Sequence, residues 1–235
     1  MVDNISRELL DLLAPSRCYW CRCAAPAGRV ACAACNAALP WNTHACRACG
    51  IPLPPAQGAP VCADCLRDSP PQDRSWAAFR YEAPIAQAIV DLKFHGRLTP
   101  AHVVGRLMAE QLIQRPEPLP ELLIPIPLSS ARLRRRGYNQ ALALGRALAG
   151  VVALRLAPTA ARRTRDTREQ TRLDAAQRRR NVRGAFAIDA AAVRGRHVAL
   201  LDDVVTTGAT MAELARAVSA AGATRVEAWA VARVR

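Results

Sequence analysis

Residues 198–210 have the sequence VALLDDVVTTGAT. Four apolar residues run into two adjacent aspartates, and two valines separate these from a loop of three threonines around one glycine. An uninterrupted apolar run is typical of a parallel strand that is buried on both faces. Ligands bind such sheets beyond the carboxyl ends of the strands. The stretch therefore predicts a buried strand that ends in a polar binding site.

Strand and helix patterns alternate around this stretch from residue 76 onward. The predicted strands cover 76–82, 121–128, 197–203 and 225–234, and the predicted helices cover 84–94, 101–113, 137–152 and 211–223. Thr99 is expected as the N-cap of the second helix, with Pro100 at its first position. Alternating strands and helices predict an α/β domain, in which a mainly parallel sheet carries helices on both faces.

The loop 206–210 and the two aspartates have the chemistry of a sugar-phosphate site. A helix N-terminus leaves backbone N–H groups unpaired, and threonine hydroxyls beside a glycine complete a phosphate cradle. The carboxylates of Asp202 and Asp203 can accept hydrogen bonds from a sugar diol. A diol site next to a phosphate site predicts a ribose 5-phosphate as the ligand. A P-loop or a Rossmann site is an alternative, but the chain has neither GxxxxGK[ST] nor GxGxxG. A capped helix behind an exposed acidic pair would explain only one threonine.

All nine cysteines lie between residues 18 and 65, and eight of them form four CxxC pairs. The paired residues are Cys18, Cys21, Cys32, Cys35, Cys46, Cys49, Cys62 and Cys65. Two pairs supply four thiolates for one tetrahedral zinc, so the sequence predicts about two structural Zn(2+) ions. Sequential pairing is favoured, and the spacing leaves crossed pairing open. A disulfide framework would need an oxidising compartment, and a redox role suits at most one pair. Cys23 is expected to be a spectator or a substitute for Cys21, and His44 a loop residue.

The positive charge of the chain, +14 in total, is concentrated in one region. Residues 132–183 hold fifteen arginines against Asp166, Glu169 and Asp174. Such an excess attracts polyanions, including phosphates and nucleic acid. Aromatic residues make up only 4% of the chain, which argues against an obvious base-stacking surface. The single lysine, Lys93, carries a compact ammonium that is not equivalent to a guanidinium.

Four segments are expected along the chain. They are an N-terminal helix over 1–17, a double zinc-ribbon module over 18–66, a linker over 67–75 and the α/β domain over 76–235. The linker is expected because its residues are polar and include prolines. No apolar run reaches the roughly 18 residues of a membrane span, and the first residues lack the apolar core of a secretory signal. We therefore expect a cytoplasmic protein without a membrane span.

The motifs together resemble a known family. VALLDDVVTTGAT resembles the 5-phosphoribosyl-1-pyrophosphate (PRPP) binding signature of type I phosphoribosyltransferases. The CxxC pairs, LKFHGR (92–97), RRRGYNQA (134–141) and TREQTRLDAAQRRRNVRGAF (167–186) resemble the ComF family of competence proteins, which includes the GntX-like proteins. The resemblance covers nearly all of 18–235. It implies a type I phosphoribosyltransferase-like fold behind a zinc-ribbon module.

The resemblance also implies roles for single residues. Asp202 and Asp203 would bind the ribose hydroxyls. The 5-phosphate would be bound by Thr206, Thr207, Gly208, Ala209 and Thr210. The pyrophosphate would be faced by Leu128, Ser129, Arg132, Arg136 and Lys93, with Gly137, Asn139 and Gln140 shaping the following turn. A mobile loop over 164–181 would close over the substrate through Thr167, Gln170, Arg178 and Asn181.

Two functions follow from the resemblance and the charge. The first is an enzyme that takes PRPP with Mg(2+) and transfers its phosphoribosyl group to an unknown acceptor, with no catalytic residue assigned. Its role would lie in natural transformation and the uptake or use of external DNA. The alternative is a non-catalytic protein that handles single-stranded DNA and uses the PRPP site for binding or sensing. The expected partners are PRPP, single-stranded DNA and DNA-uptake or DNA-processing proteins.

Overall fold

The structure, a computed structural model, describes residues 16–55, 60–165 and 180–235. Internal contacts divide the chain into two compact units, Met1–Leu39 and Pro40–Arg235. This division lies well before the linker that the sequence predicts at 67–75. The reason is that the chain around Ala48 is hydrogen-bonded to Ser75, whose hydroxyl lies 2.6 Å from the Ala48 carbonyl oxygen. The bounds 18–66 and 76–235 stay a prediction, and of the helix expected over 1–17 only the last two residues are described.

Among the described residues, the unit Met1–Leu39 contains one helix, and the unit Pro40–Arg235 contains the other helices and all of the strands. The helices are α1 (Ala33–Ala38), α2 (Ala63–Arg67), α3 (Ile85–Phe94), α4 (Thr99–Ile113), α5 (Ser130–Arg136), α6 (Gln140–Ala149), α7 (Ala190–Val193) and α8 (Ala209–Ala220). The strands are β1 (Arg74–Arg80), β2 (Leu122–Pro125), β3 (Arg155–Leu156), β4 (Ala161–Arg163), β5 (Phe186–Ile188), β6 (His197–Val205) and β7 (Arg225–Arg233). No helix in the described part of the chain combines the length and the apolar character needed to cross a membrane.

Five strands form one sheet in the order β1-β7-β6-β2-β3, and every neighbouring pair is parallel. The predicted α/β class with a mainly parallel sheet is confirmed. Strands β4 and β5 form a separate antiparallel pair that the sequence did not predict. Each of the two strands has only three residues, which are too few for a readable periodicity, so only the folded chain reveals this pair.

Helices cover both faces of the sheet. On one face, Met211 and Leu214 of α8 pack in a buried cluster with Leu200 of β6. On the other face, α6 lies so close that a Cβ added at Gly145 would be 3.0 Å from the Leu156 side chain. A strand such as β6, covered on both sides, needs apolar residues at consecutive positions, as the run at 198–201 has.

Several element boundaries differ from the sequence prediction. Thr99 is not the N-cap of α4, because the helix begins at Thr99 itself and Leu98 is the cap. The helix predicted over 137–152 begins only at Gln140, since the Asn139 side chain accepts hydrogen bonds from the amides of Ala141 and Leu142. The helix α8 begins at 209, two residues earlier than predicted, and β6 runs two residues further, to 205.

Candidate functional site

Strand β6 carries two adjacent carboxylates to the carboxyl edge of the sheet. Asp203 is only 3% exposed, and its Oδ1 accepts a hydrogen bond from the Val204 amide at 2.7 Å. The same oxygen lies 3.2 Å from Nζ of Lys93, the single lysine of the chain. Asp202 Oδ1 accepts from the Asp203 amide at 2.9 Å. Short backbone contacts therefore fix both carboxylates in place.

The carboxyl group of Asp202 titrates in an unusual range. Burial, and next the charge of Asp203, raise the pKa of Asp202 from 3.8 to about 7, although Lys93 lowers it. Two carboxylates side by side resist joint ionisation, because each makes the negative charge of the other less favourable. Asp202 therefore gains or loses its proton close to neutral pH.

A cavity of about 400 Å³, here called the acid cavity, opens in front of the two aspartates. Its lining residues are Lys93, Phe94, Ile126, Pro127, Leu128, Arg132, Arg135, Arg136, Gln140, Arg163, Asp202, Asp203, Val204, Thr206 and Thr210. Carboxylates, hydroxyls and guanidinium groups thus share one cavity. The cavity is lined by both residues that were expected to bind the ribose and by four of the five that were expected to face the pyrophosphate.

Three of the four arginines that line the acid cavity come from a short helix that the sequence did not predict. Helix α5 lies between β2 and α6, where no element was predicted, and Arg132, Arg135 and Arg136 are spaced i, i+3 and i+4 along it. Residues at this spacing share one helix face, so Arg135 joins the two arginines that were expected. Ser129 is 2% exposed and accepts a hydrogen bond from the Arg132 amide at 3.4 Å. It acts as the cap of α5 and does not line the acid cavity.

Gly137 and Asn139 form the turn between α5 and α6. Gly137 ends α5 with a φ of +81°, a left-handed conformation that favours glycine. Asn139 caps α6 and also donates from Nδ2 to the Ile126 carbonyl oxygen at 2.9 Å. Gln140 is 5% exposed and lines the acid cavity. The turn therefore ties the end of β2 to the start of α6.

Residues 206–210, here called the phosphate loop after the role predicted for them, lead from the end of β6 into the first turn of α8. Gly208 is the N-cap of α8 with a φ of +75°, and the Thr207 hydroxyl accepts from the Ala209 amide at 3.4 Å. Thr206 and Thr210 line the acid cavity. Thr207, Gly208 and Ala209 instead line a second cavity of about 580 Å³. The five residues expected at the 5-phosphate are thus divided between two cavities.

Two buried oxygen acceptors next to the acid cavity have no hydrogen-bond partner among the described residues. They are Oδ2 of Asp203 and Oε1 of Gln140. Leaving such a group unpaired costs about 1–3 kcal/mol. Both residues belong to the cavity wall, which marks this wall as a place for hydrogen-bond donors.

Most of the expected mobile loop lies outside the described residues. Thr167, Gln170 and Arg178 fall there. Asn181 is described, partly buried, and is not among the residues that line the acid cavity. Arg163 and Phe94, which the sequence did not single out, line this cavity instead. Phe94 belongs to the LKFHGR motif, which was recognised in the sequence, but Phe94 itself was not predicted as a site residue.

The eight paired cysteines form two four-cysteine groups among the described residues. The first is Cys18, Cys21, Cys32 and Cys35, and the second is Cys46, Cys49, Cys62 and Cys65, with the sulfur atoms of each group within 4.8 Å of one another. Sequential pairing is therefore confirmed. Neither Cys23 nor His44 belongs to a group.

The sulfur positions suit a structural zinc. The Sγ atoms of Cys21 and Cys32 lie 3.6 Å apart in the first group, and those of Cys49 and Cys62 lie 3.8 Å apart in the second. Tetrahedral ligands about 2.3 Å from zinc lie roughly 3.8 Å apart. Burial alone would raise the pKa of Cys18 and that of Cys46. Backbone hydrogen bonds outweigh this effect and lower the pKa of Cys18 to about 6 and that of Cys46 to about 7. Each group thus holds one thiol that readily ionises, whereas hydrogen bonds from neighbouring thiols raise the pKa of Cys35 and burial raises the pKa of Cys49 and Cys65. Metal binding must deprotonate these thiols as well.

Comparisons with known proteins agree with these features. A family model for the double zinc ribbon domain matches residues 9–66. The DNA utilization protein YhgH of Escherichia coli O6:H1 is 35% identical over 185 residues, which are 77% of this chain and 81% of that protein. Competence protein F of Haemophilus influenzae is 33% identical over 73% of this chain and 78% of that protein.

Among solved structures, hypoxanthine phosphoribosyltransferase from Trypanosoma cruzi bound to IMP is similar, with a TM-score of 0.33 and 15% identity. The match covers 58% of this chain and 72% of that one. The family is shown by the sequence relatives, which are matched over most of their length. The chain belongs to the ComF family of competence and DNA-utilization proteins.

Proposed function

We propose that this chain binds PRPP with Mg(2+) in the acid cavity and transfers the phosphoribosyl group to an acceptor. The observation that carries the proposal is the composition of this cavity, which sets two carboxylates at a strand end beside three arginines of one helix. PRPP matches both parts, because its ribose hydroxyls donate hydrogen bonds and its phosphates accept them.

The ribose would lie against the carboxylates. Asp203 Oδ2 and Gln140 Oε1 are the acceptors without a donor among the described residues, and sugar hydroxyls supply donors. The pKa of about 7 at Asp202 makes this contact dependent on pH, because the ionised carboxylate is the better acceptor. Mg(2+) enters with the substrate, and the carboxylate oxygens here are ligands of the type it prefers.

The pyrophosphate would lie against α5. Arg132, Arg135 and Arg136 present guanidinium groups, which bind phosphate oxygens bidentately. Lys93 contributes an ammonium in the same cavity while it contacts Asp203. It therefore stands between the negative wall and the incoming polyanion, where it lowers the repulsion between them.

In the proposed reaction, the bond from ribose C1 to the pyrophosphate oxygen breaks and the electron pair leaves with pyrophosphate. The nucleophilic atom of the acceptor then forms the new bond at C1. The guanidinium groups would neutralise charge that grows on the leaving group, and the carboxylates would hold the ring. The protein contributes position and charge to this step and no nucleophile of its own.

A role in natural transformation or in the use of external DNA is also proposed. It is supported by the names of the relatives, DNA utilization protein and Competence protein F. DNA-uptake or DNA-processing proteins are then the expected macromolecular partners.

A second candidate function is single-stranded DNA handling at the rim of the acid cavity. Phe94 is 69% exposed there, and the Arg136 guanidinium lies 5.8 Å from its ring centre. One exposed ring beside several arginines suits a stacked base and its phosphate, although aromatic residues are few in the chain. Phe94→Ala is then expected to weaken single-stranded DNA binding about tenfold at fixed salt, while Tyr81→Ala, at another exposed ring, leaves it unchanged.

The test of the enzymatic proposal is a screen for pyrophosphate release from Mg-PRPP with bases, amines and single-stranded DNA as acceptors. Release that depends on one acceptor class and disappears in Asp202→Asn/Asp203→Asn supports transfer. Release without any acceptor would instead indicate hydrolysis. Binding of Mg-PRPP with no release under any condition would favour the non-catalytic function.

A further inference from the structure

A buried arginine lies directly behind the phosphate loop. Arg233, at the end of β7, is 8% exposed. Its Nη1 donates to the carbonyl oxygens of Val205 at 3.1 Å and Val234 at 2.7 Å, and also to that of Thr206. A single guanidinium thus holds the two peptide groups through which β6 enters the loop.

These contacts orient the donors of the loop. In a trans peptide the N–H of one residue points opposite to the carbonyl of the residue before it. When Arg233 holds the carbonyls of Val205 and Thr206, the amides of Thr206 and Thr207 therefore face away from Arg233. Among the loop and turn hydrogen bonds of the described residues, none uses the amide of Thr206, Thr207 or Gly208 as donor. Successive amides of this kind make an anion-binding surface.

The same arginine reaches the second cysteine group. Its Nε donates to the Cys49 carbonyl oxygen at 3.1 Å. The chain just before Cys49 is fixed to the sheet as well, because Gln72 and Ser75 both donate to the Ala48 carbonyl. Cys49 is a member of the second group, so the position of its carbonyl depends on how the four sulfurs are held.

We infer that Arg233 is a positioning residue that couples the second cysteine group to the phosphate loop. Metal bound by this group fixes the Cys49 carbonyl, Cys49 orients the guanidinium, and the guanidinium orients the loop amides. Loss of this metal loosens the loop and weakens its hold on phosphate. The weaker hold on phosphate rests on the proposed function, namely that residues 206–210 bind the 5-phosphate.

Coupling of this kind is reciprocal, because two sites that influence one another do so by the same free energy. Ribose 5-phosphate on the loop must therefore raise the affinity of the second cysteine group for its metal, and we expect a chelator to extract that metal more slowly. This effect must disappear when Arg233 is replaced. It would not arise if Arg233 merely supported the fold.

The test uses the full, zinc-loaded chain and the variant Arg233→Lys, which keeps the charge but has one nitrogen where the guanidinium has three. Arg216→Lys, at an exposed arginine of α8, is the matched control. The first measurement is hydrogen exchange of the Val234 amide, which donates to the Val205 carbonyl at 3.1 Å. We expect at least tenfold faster exchange in Arg233→Lys, and similar acceleration in the wild type after zinc is removed by a chelator.

The second measurement is the rate at which a chromogenic chelator extracts zinc, with and without ribose 5-phosphate. Slower extraction of one zinc in the wild type, and no protection in Arg233→Lys, supports the coupling. Unchanged Val234 exchange and unchanged extraction in Arg233→Lys overturn it. If ribose 5-phosphate and Mg-PRPP do not bind the wild type at all, the proposed function fails, whereas exchange and extraction without ligand still decide the role of Arg233.

Discussion

Replacement of Asp202 by asparagine is expected to make the ligand-free protein more stable at alkaline pH. The carboxyl group is held beside Asp203 in a site where burial and the second carboxylate raise its pKa to about 7. Asparagine keeps the oxygen that accepts from the Asp203 amide and carries no charge. The variant therefore retains the local geometry and removes the cost of ionising a second acid.

The size of the effect follows from the two pKa values of Asp202. They are 3.8 for an ordinary aspartate and about 7 in the folded chain, so the wild type loses stability as pH rises between these values. Each pKa unit is worth about 1.4 kcal/mol, which gives about 4 kcal/mol in total above pH 7. Between pH 5.5 and pH 8 the advantage of Asp202→Asn should grow by about 2 kcal/mol.

Urea unfolding at both pH values, with zinc present throughout, measures this difference. Asp189→Asn is the matched control, since Asp189 is exposed, caps α7 through its side chain, and asparagine caps equally well. Its effect should not change with pH. An advantage of Asp202→Asn that is the same at pH 5.5 and pH 8, or a destabilisation at pH 8, would refute the reasoning about the acid pair.

Three further predictions concern stability and metal content. Arg115→Met should destabilise the fold by about 3–5 kcal/mol, because it removes two hydrogen bonds, at 3.0 and 3.1 Å, from the buried Glu227. Urea unfolding measures this loss of stability, and a loss below about 1 kcal/mol would contradict the prediction. Gly105→Ala should cost about 1–3 kcal/mol, since its Cβ would lie 2.7 Å from that of Ala147; adding Ala147→Gly should recover part of the loss, and no recovery would rule out this clash. Mass spectrometry under native conditions should find about two zincs per chain, with Cys23→Ser retaining both, whereas a loss of zinc in that variant would make Cys23 a ligand.

The central strand and the cysteine groups were predictable because their signals are local. Four consecutive apolar residues before Asp202 specify a strand buried on both faces, and CxxC spacing brings two sulfurs to one metal. The sequential pairing required only short connections between neighbouring pairs. These features depend on residues close together in the chain.

The missing parts depend on contacts between distant segments. Helix α5 escaped prediction because SARLRRR has no apolar face to reveal a helical period, and with it Arg135 was missed. Glu227 reads as a surface acid, yet it is fully buried between Arg115, His197 and Trp229. Arg233 gave one usable signal, a charged residue inside the apolar strand sequence AWAVARV. A buried charge needs partners, but the sequence could not say that these are the phosphate loop and Cys49.

Calorimetric titration of the zinc-loaded chain with Mg-PRPP measures whether the acid cavity binds PRPP. We expect saturable binding to one site per chain that strengthens as pH rises through about 7, where Asp202 ionises. Asp202→Asn/Asp203→Asn should abolish this binding, and Asp189→Asn should leave it intact. Binding of equal affinity in the double variant, or no binding to the wild type, would contradict the assignment of the acid cavity to PRPP.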